Sequence, residues 1–220
     1  MLFSHALRRA ALRAAAAAAV TFGASLTTHA AVVNGGFEGC SGDNQILPGG
    51  SGAIAGWTTA NDGVEWFPGG LYGTGPGKLG NCIVDLAWYT NTDATGGAIW
   101  QNVATTPGQT YTVDFYGITA NSNGRDGTGQ IELWLDGALA HVFTVVNAAA
   151  SWTAADWQAL SWSFVAGGGT DTKIELRNNQ NAFEHFALID GVSVNAIPEP
   201  GVPALVGAVL LVAGLRRGRR

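Results

Sequence analysis

The chain has 220 residues with 11 basic against 16 acidic side chains, a formal charge of −5. Seven of the basic residues lie at the ends (Arg8, Arg9, Arg13, Arg216, Arg217, Arg219 and Arg220), so residues 31–197 hold only Lys78, Arg125, Lys173 and Arg177 against fifteen acids, a formal charge of −11. Such a core lacks the clustered cations that bind nucleic acid or anionic lipid, and its roughly 165 residues, with all eight tryptophans, suit one domain and not two.

Taken in chain order, Arg8, Arg9 and Arg13 precede an alanine-rich apolar run over residues 14–26. Thr28 and Ala30 then place small residues at the −3 and −1 positions of a cut after Ala30. Charge, apolar run and small residues in that order predict a secretory signal helix over 1–30, removed by signal peptidase. The alternative, a buried alanine helix of the fold, does not explain the order. Cys40 and Cys82 are the only cysteines, with no C-x-x-C and no histidine spaced for zinc. In an oxidising compartment they are expected to pair; two buried free thiols are the other reading.

No stretch of the middle keeps a helical period. Short apolar runs divided by Gly, Asn and Asp predict strands at 32–38, 54–58, 64–67, 83–88, 98–104, 111–115 and 131–136. Asp136-Gly137 reads as a hairpin turn into 138–146. Leu160, Trp162 and Phe164 share one face of a later strand, as do Ile174 and Leu176 in 173–177, and Val192 and Val194 near the end. About ten or eleven strands make an all-β sandwich, and the 27 glycines of residues 31–197 serve its turns.

Two apparent motifs fail on inspection. Residues 73–78 look like a phosphate loop, but Tyr72 and Leu79 stand where glycine and Ser/Thr are required. Residues 121–132 approach a calcium-loop spacing, yet Arg125 and Asp126 occupy a ligand position and the obligatory glycine position. There is no G-x-S-x-G elbow, and His141 and His185 read as packed or surface histidines. The sequence therefore predicts no catalytic residue, although carboxylate pairs of the glycosidase kind are defined only in space.

Sugar binding is the sharper possibility, because aromatic rings stack on pyranose faces while amides and carboxylates bond hydroxyls. Trp66, Tyr72, Trp88 and Tyr89 lie near loops, and Trp134 is out of phase with the face that carries Ile131. Trp152 and Trp157 flank a turn, and Asn178, Asn179, Gln180 and Asn181 form a polar loop. The candidate ligand set is Trp66, Tyr72, Trp88, Trp134 and Asn179. Against it stands the usual fate of tryptophan in a sandwich, which is burial.

At the C-terminus, Pro198-Glu199-Pro200 precedes a fourteen-residue apolar stretch over 202–215 and then Arg216-Arg217-Gly218-Arg219-Arg220. The stretch is shorter than the roughly twenty residues of a spanning helix, and the arginines would hold its end in the cytoplasm. Signature, apolar helix and basic end resemble the PEP-CTERM sorting signal of Gram-negative bacteria. That resemblance implies transient residence in the inner membrane, recognition by an exosortase and removal near Pro198, Glu199 and Pro200, with delivery to the cell surface or extracellular matrix.

The core resembles a second family. Asn34-Gly35-Gly36-Phe37-Glu38 opens it, Ala55-Gly56-Trp57 follows, and Val84-Asp85-Leu86 sits in the middle. Residues 97–101 lead to Thr106-Pro107-Gly108-Gln109-Thr110-Tyr111, Trp157 precedes a Ser/Phe strand, and Leu188-Ile189-Asp190-Gly191-Val192-Ser193-Val194 closes the domain. This order is similar to the galactose-binding-like jelly rolls of the DUF642, choice-of-anchor type. It implies a single jelly-roll β-sandwich over 31–196, between the signal helix of 1–30 and the sorting helix of 197–220. It also implies a structural calcium held by Glu38 and Asp190, in which two carboxylates clamp the first strand to the last. A capping role for Asp190 and a solvated Glu38 are the alternative. The expectation is an exported, non-enzymatic protein that associates with exopolysaccharide. A purely structural surface or biofilm-matrix protein, or a small polysaccharide hydrolase, are the competing readings.

Overall fold

The computed structural model describes residues 31–198 except 87–95, 123, 179 and 182–183. The signal helix, the sorting helix, Glu199, Pro200, Trp88 and Asn179 lie outside the described residues.

Eleven strands are present: β1 (Gln45–Leu47), β2 (Thr58–Asn61), β3 (Val64–Pro68), β4 (Cys82–Asp85), β5 (Gly97–Ala104), β6 (Thr110–Ile118), β7 (Thr128–Leu135), β8 (Ala138–Val146), β9 (Gln158–Val165), β10 (Asp171–Arg177) and β11 (Leu188–Ala196). They form two antiparallel sheets, a six-stranded one in the order β1-β3-β4-β11-β6-β9 and a five-stranded one in the order β2-β5-β10-β7-β8. The expected all-β sandwich is what the chain builds. Most connections pass from one sheet to the other, which wraps the chain around a single core.

Alternation along the strands produces that core. Tyr111, Val113 and Phe115 of β6 face Ile131 and Leu133 of β7, Ile174 and Leu176 of β10, and Ile99 of β5. Phe115 and Phe143 meet edge-to-face across the layers at 5.1 Å. The turn between β7 and β8 is the expected one: Asp136 and Gly137 both take positive φ, 50° and 82°, the hairpin geometry that follows strand twist. A second apolar cluster covers one end of the outer face of the six-stranded sheet. There Phe67, Ile83, Ile118 and Leu188 lie beneath Trp152, Trp157 and Phe186.

The opening segment departs from expectation. Residues 32–38 form turns, not a strand. Asn34 and Phe37 adopt φ near +50°, and the Asn34 side chain accepts from the Glu38 N–H at 2.8 Å and donates to the Glu38 carbonyl at 3.1 Å. The expected strand at 54–58 likewise begins only at Thr58, because Ile54–Trp57 close a turn through a 2.9 Å backbone bond. β1 carries only three residues and had no periodicity to announce it.

Candidate functional site

The motif residues of the opening and closing segments are engaged internally. Trp66, expected to meet a ligand, is 4% exposed, and its Nε1–H donates to the Phe37 carbonyl at 2.7 Å. Proximity to a loop in sequence did not put the ring at the surface; it is a strut under the opening turn. Trp57 does the same for the Asn34 carbonyl at 3.0 Å. Gly35 is required where it stands, since a Cβ there would lie 1.9 Å from the Val192 carbonyl oxygen. Gln101 ties the start of the domain to the turn before β2. It accepts from Val33 N at 2.7 Å and donates to Val33 and Gly56 carbonyls at 3.0 and 2.7 Å.

Glu38 and Asp190 converge on one loop, as a clamp between first and last segments requires, but what they hold is backbone. Asp190 is fully buried. Its Oδ2 accepts from Lys78 and Leu79 N–H groups at 2.7 Å each, and its Oδ1 from Gly191 N at 2.6 Å. Glu38 Oε1 accepts from Asn81 and Cys82 N–H groups at 2.9 and 3.1 Å. Burial pushes the Asp190 carboxyl up to about 6, against the three N–H donors that favour its charge and with the nearby Glu38 adding to the rise. Backbone N–H donors thus surround oxygens that a calcium ion would need, and a cation requires six to eight oxygen ligands. Among the described residues no group of three or more His, Cys, Asp or Glu could hold a metal. The pair holds the loop of residues 78–82 through its backbone. Beside it the expected disulfide is present, Cys40–Cys82, with Cα atoms 5.9 Å apart.

The glycine-rich segment 73–78 is closed by indoles: Trp152 and Trp157 both donate to the Pro76 carbonyl, at 2.9 and 3.0 Å. Asn178 of the polar loop is buried, with its Oδ1 accepting from Gln180 N at 3.0 Å. Tyr72 belongs to the 3₁₀ turn Leu71–Gly73; its side chain is outside the described set. His141 stacks on Trp162 at 4.1 Å, and His185 Nδ1 lies 2.9 Å from Thr128 Oγ1.

Among the described residues, Trp134 belongs to a partly exposed aromatic arrangement. On the outer face of the five-stranded sheet, register aligns Thr58, Trp100, Glu175, Trp134 and Leu139 in a row across all five strands. Trp100 and Trp134 are half-buried and stand two inter-strand steps apart, about 9.5 Å. Glu175 between them is 2% exposed. It pairs with Lys173 Nζ at 2.6 Å on one oxygen and with Arg177 Nε on the other. The cations in turn lie over the indoles, Lys173 Nζ 4.7 Å from the Trp100 centroid and Arg177 Cζ 3.9 Å from that of Trp134. Glu132 Oε2 fixes Trp134 by accepting from its Nε1 at 2.7 Å. Burial raises the Glu175 pKa, but the hydrogen bonds and charges of Arg177 and Lys173 outweigh it and hold the group below its ordinary value. The result is a rigid platform of two indoles with charged donors and acceptors between them. Trp100 escaped sequence reasoning because only the β5–β10–β7 register puts it beside Trp134.

Residues 30–195 match the family model described as a protein of unknown function, DUF642. The chain belongs to the DUF642 family. No curated protein matches this DUF642 chain. Among solved structures it is similar to the xylan-binding CBM22-1 domain of Paenibacillus barcinonensis Xyn10C, at 13% identity and a TM-score of 0.45, covering 72% of this chain and 97% of that one. A family 61 carbohydrate-binding module in complex with β-1,4-galactotriose gives 16%, 0.44, 66% and 92%. A family 36 module in complex with calcium and xylotriose gives 12%, 0.36, 52% and 79%. At these identities and scores, the ligand of this DUF642 protein has to be argued from its own surface.

Proposed function

We propose that this DUF642 domain is an exported, non-catalytic polysaccharide-binding protein, and that the outer face of its five-stranded sheet is the binding platform. The observation that carries the reading is the Trp100–Glu175–Trp134 row, in which two half-exposed indoles are fixed by neighbours that themselves offer hydroxyl donors and acceptors. Sugars bind such a surface by ring stacking on the indoles and hydrogen bonds to Lys173, Arg177 and Glu132. A formal charge of −11 over residues 31–197 favours neutral glycans over anionic ones. Glu175 supports binding over hydrolysis: cation-paired and held in its ionised form, it has no proton to give a leaving group.

The terminal segments supply the proposed route. Signal peptidase removes 1–30, the tail engages the inner membrane, and an exosortase releases the protein near Pro198-Glu199-Pro200 to the surface or matrix of a Gram-negative cell. Mass spectrometry of the exported protein tests this; a C-terminus still ending at Arg220 refutes it. Affinity electrophoresis in gels containing the producing cell's exopolysaccharide tests the ligand: retardation is expected, and unchanged mobility refutes binding.

One observation favours a second reading, a structural matrix protein whose contacts are protein–protein. Edge strand β8 has no Lys, Arg, Asp or Glu and exposes Leu139, Val142 and Val146, a surface able to pair with another strand. Concentration-dependent self-association without electrophoretic retardation would select it.

A further inference from the structure

The opposite sheet carries a second feature that the platform does not use. A groove of about 570 Å³ crosses the outer face of β11, β6 and β9, walled at one side by Gly35, Gly36 and Leu79. Its floor follows the strand register: Ser193, Asp114 and Ser161 form one row, with Tyr116 and Ala159 in the next. Ser161 Oγ donates to Asp114 Oδ1 at 2.6 Å, and Asn195 Nδ2 donates to Asp114 Oδ2 at 3.3 Å, so the carboxylate is oriented from both sides. Each of its oxygens keeps acceptor capacity beyond the one bond described, because a carboxylate offers about four lone-pair sites. Tyr116, which lines the groove, carries the Lys78 Nζ 4.9 Å over its ring, and that Nζ donates to the Ala154 carbonyl at 2.9 Å.

The groove is built where β11 breaks step. Register shifts between Asp190 and Ser193, and Gly191 at φ +64° has no room for a side chain, since a Cβ would lie 2.8 Å from Leu79 Cδ1 and 2.9 Å from Tyr116 Cδ2. The bulge opens a hollow in a face that would otherwise be flat. Its volume falls in the range of small-ligand sites, about 300–1,000 Å³. A carboxylate flanked by two serine hydroxyls repels anions and accepts from hydroxyls.

We propose that this groove is a second saccharide site, in which Asp114 accepts hydroxyls of a neutral sugar unit while Ser161 and Ser193 bond its neighbouring oxygens. The inference rests on the reading that the protein binds polysaccharide, and it adds a consequence. Two sites on opposite faces of one sandwich cannot be filled by one short stretch of chain, so each molecule bridges two glycan strands and acts as a matrix cross-linker. Linking is then a matter of valency, which multiplies retention without new contacts.

The test uses the full chain, amide chemical shifts and short oligosaccharides prepared by partial hydrolysis of the producing cell's exopolysaccharide. Two separate sets of shifts are expected, one at Trp100 and Trp134 and one at residues 114, 161 and 193. Asp114→Ala should weaken the second set about tenfold, the loss of one charge-assisted hydrogen bond. The first set should stay in place, which also shows that the variant is folded. Mixing with intact polysaccharide should raise light scattering for the wild type, and Asp114→Ala should abolish that rise while still binding. Shifts at the tryptophans alone overturn the groove and leave the platform standing. Shifts at the groove alone overturn the platform, and shifts at neither overturn both. Equal cross-linking by Asp114→Ala overturns the bridging role.

Discussion

Acid should stabilise this protein over a range in which most proteins begin to weaken, and Asp190 is the reason. Its side chain is fully buried, and burial raises the carboxyl from about 3.8 to about 6. A group whose folded pKa is raised contributes stability that is complete below the unfolded value and is lost as pH rises through the folded one. At pH 7 the protein therefore carries the cost of a buried charge. Acidification from pH 7 to 4.5 should recover about 2 kcal/mol, at about 1.36 kcal/mol per unit of pKa difference. For a domain of this size, recovering about 2 kcal/mol is a rise in Tm of about 4–8 °C. Below about pH 4.5 the trend should reverse, because the Glu175 pKa is held low by Arg177 and Lys173, and that stabilisation disappears as the ion-paired carboxylate takes its proton. The assay is denaturant unfolding at closely spaced pH values for the wild type and Asp190→Asn, comparing slopes and not absolute stabilities. The amide introduced by that substitution does not titrate, so the wild type should gain about 2 kcal/mol relative to the variant between pH 7 and 4.5. Parallel profiles for the two proteins would refute the burial argument.

Two further predictions separate structural roles from ligand roles. Trp66→Phe removes the donor to the buried Phe37 carbonyl and should cost about 1–3 kcal/mol without changing retardation in polysaccharide gels; weakened retardation at unchanged stability would return Trp66 to the surface site. Replacing Cys40 and Cys82 together by alanine opens a loop spanning a sequence separation of 42. Loss of that loop constraint should cost about 4 kcal/mol on the chain-entropy account, read as a lower denaturation midpoint with a larger m as the unfolded chain expands, and an unchanged midpoint would contradict it.

Strand interiors were legible because their side chains alternate at a period that only a half-buried strand needs. Residues 131–136 and the Asp136-Gly137 turn illustrate this: phase alone placed Ile131 inside and Trp134 outside. The ends of the domain were not legible by the same rule. In 32–38 the apolar spacing suggests a strand, but Asn34 and the Gly35-Gly36 pair select turns, and positive φ at Phe37 buries the ring without any pairing. At the candidate site, one strand's phase identified Trp134, whereas Trp100 and Glu175 needed inter-strand register, which depends on contacts distant in sequence. Glu38 and Asp190 show the converse. The family resemblance implies a clamp of the two carboxylates, and in the structure both accept from N–H groups of residues 78–82; the turn of that loop's backbone is not written in either motif.

The central claim is that Trp100 and Trp134 together form a polysaccharide platform. Affinity electrophoresis of the Trp100→Ala/Trp134→Ala double variant in the producing cell's exopolysaccharide tests it most directly, with Trp162→Ala, whose ring stacks on His141, as a control. Loss of two aromatic anchors at about 2 kcal/mol each should cut retardation to the level that the groove at Asp114 alone supports, while the control is held back like the wild type. A folded double variant that is still retarded like the wild type would contradict the account.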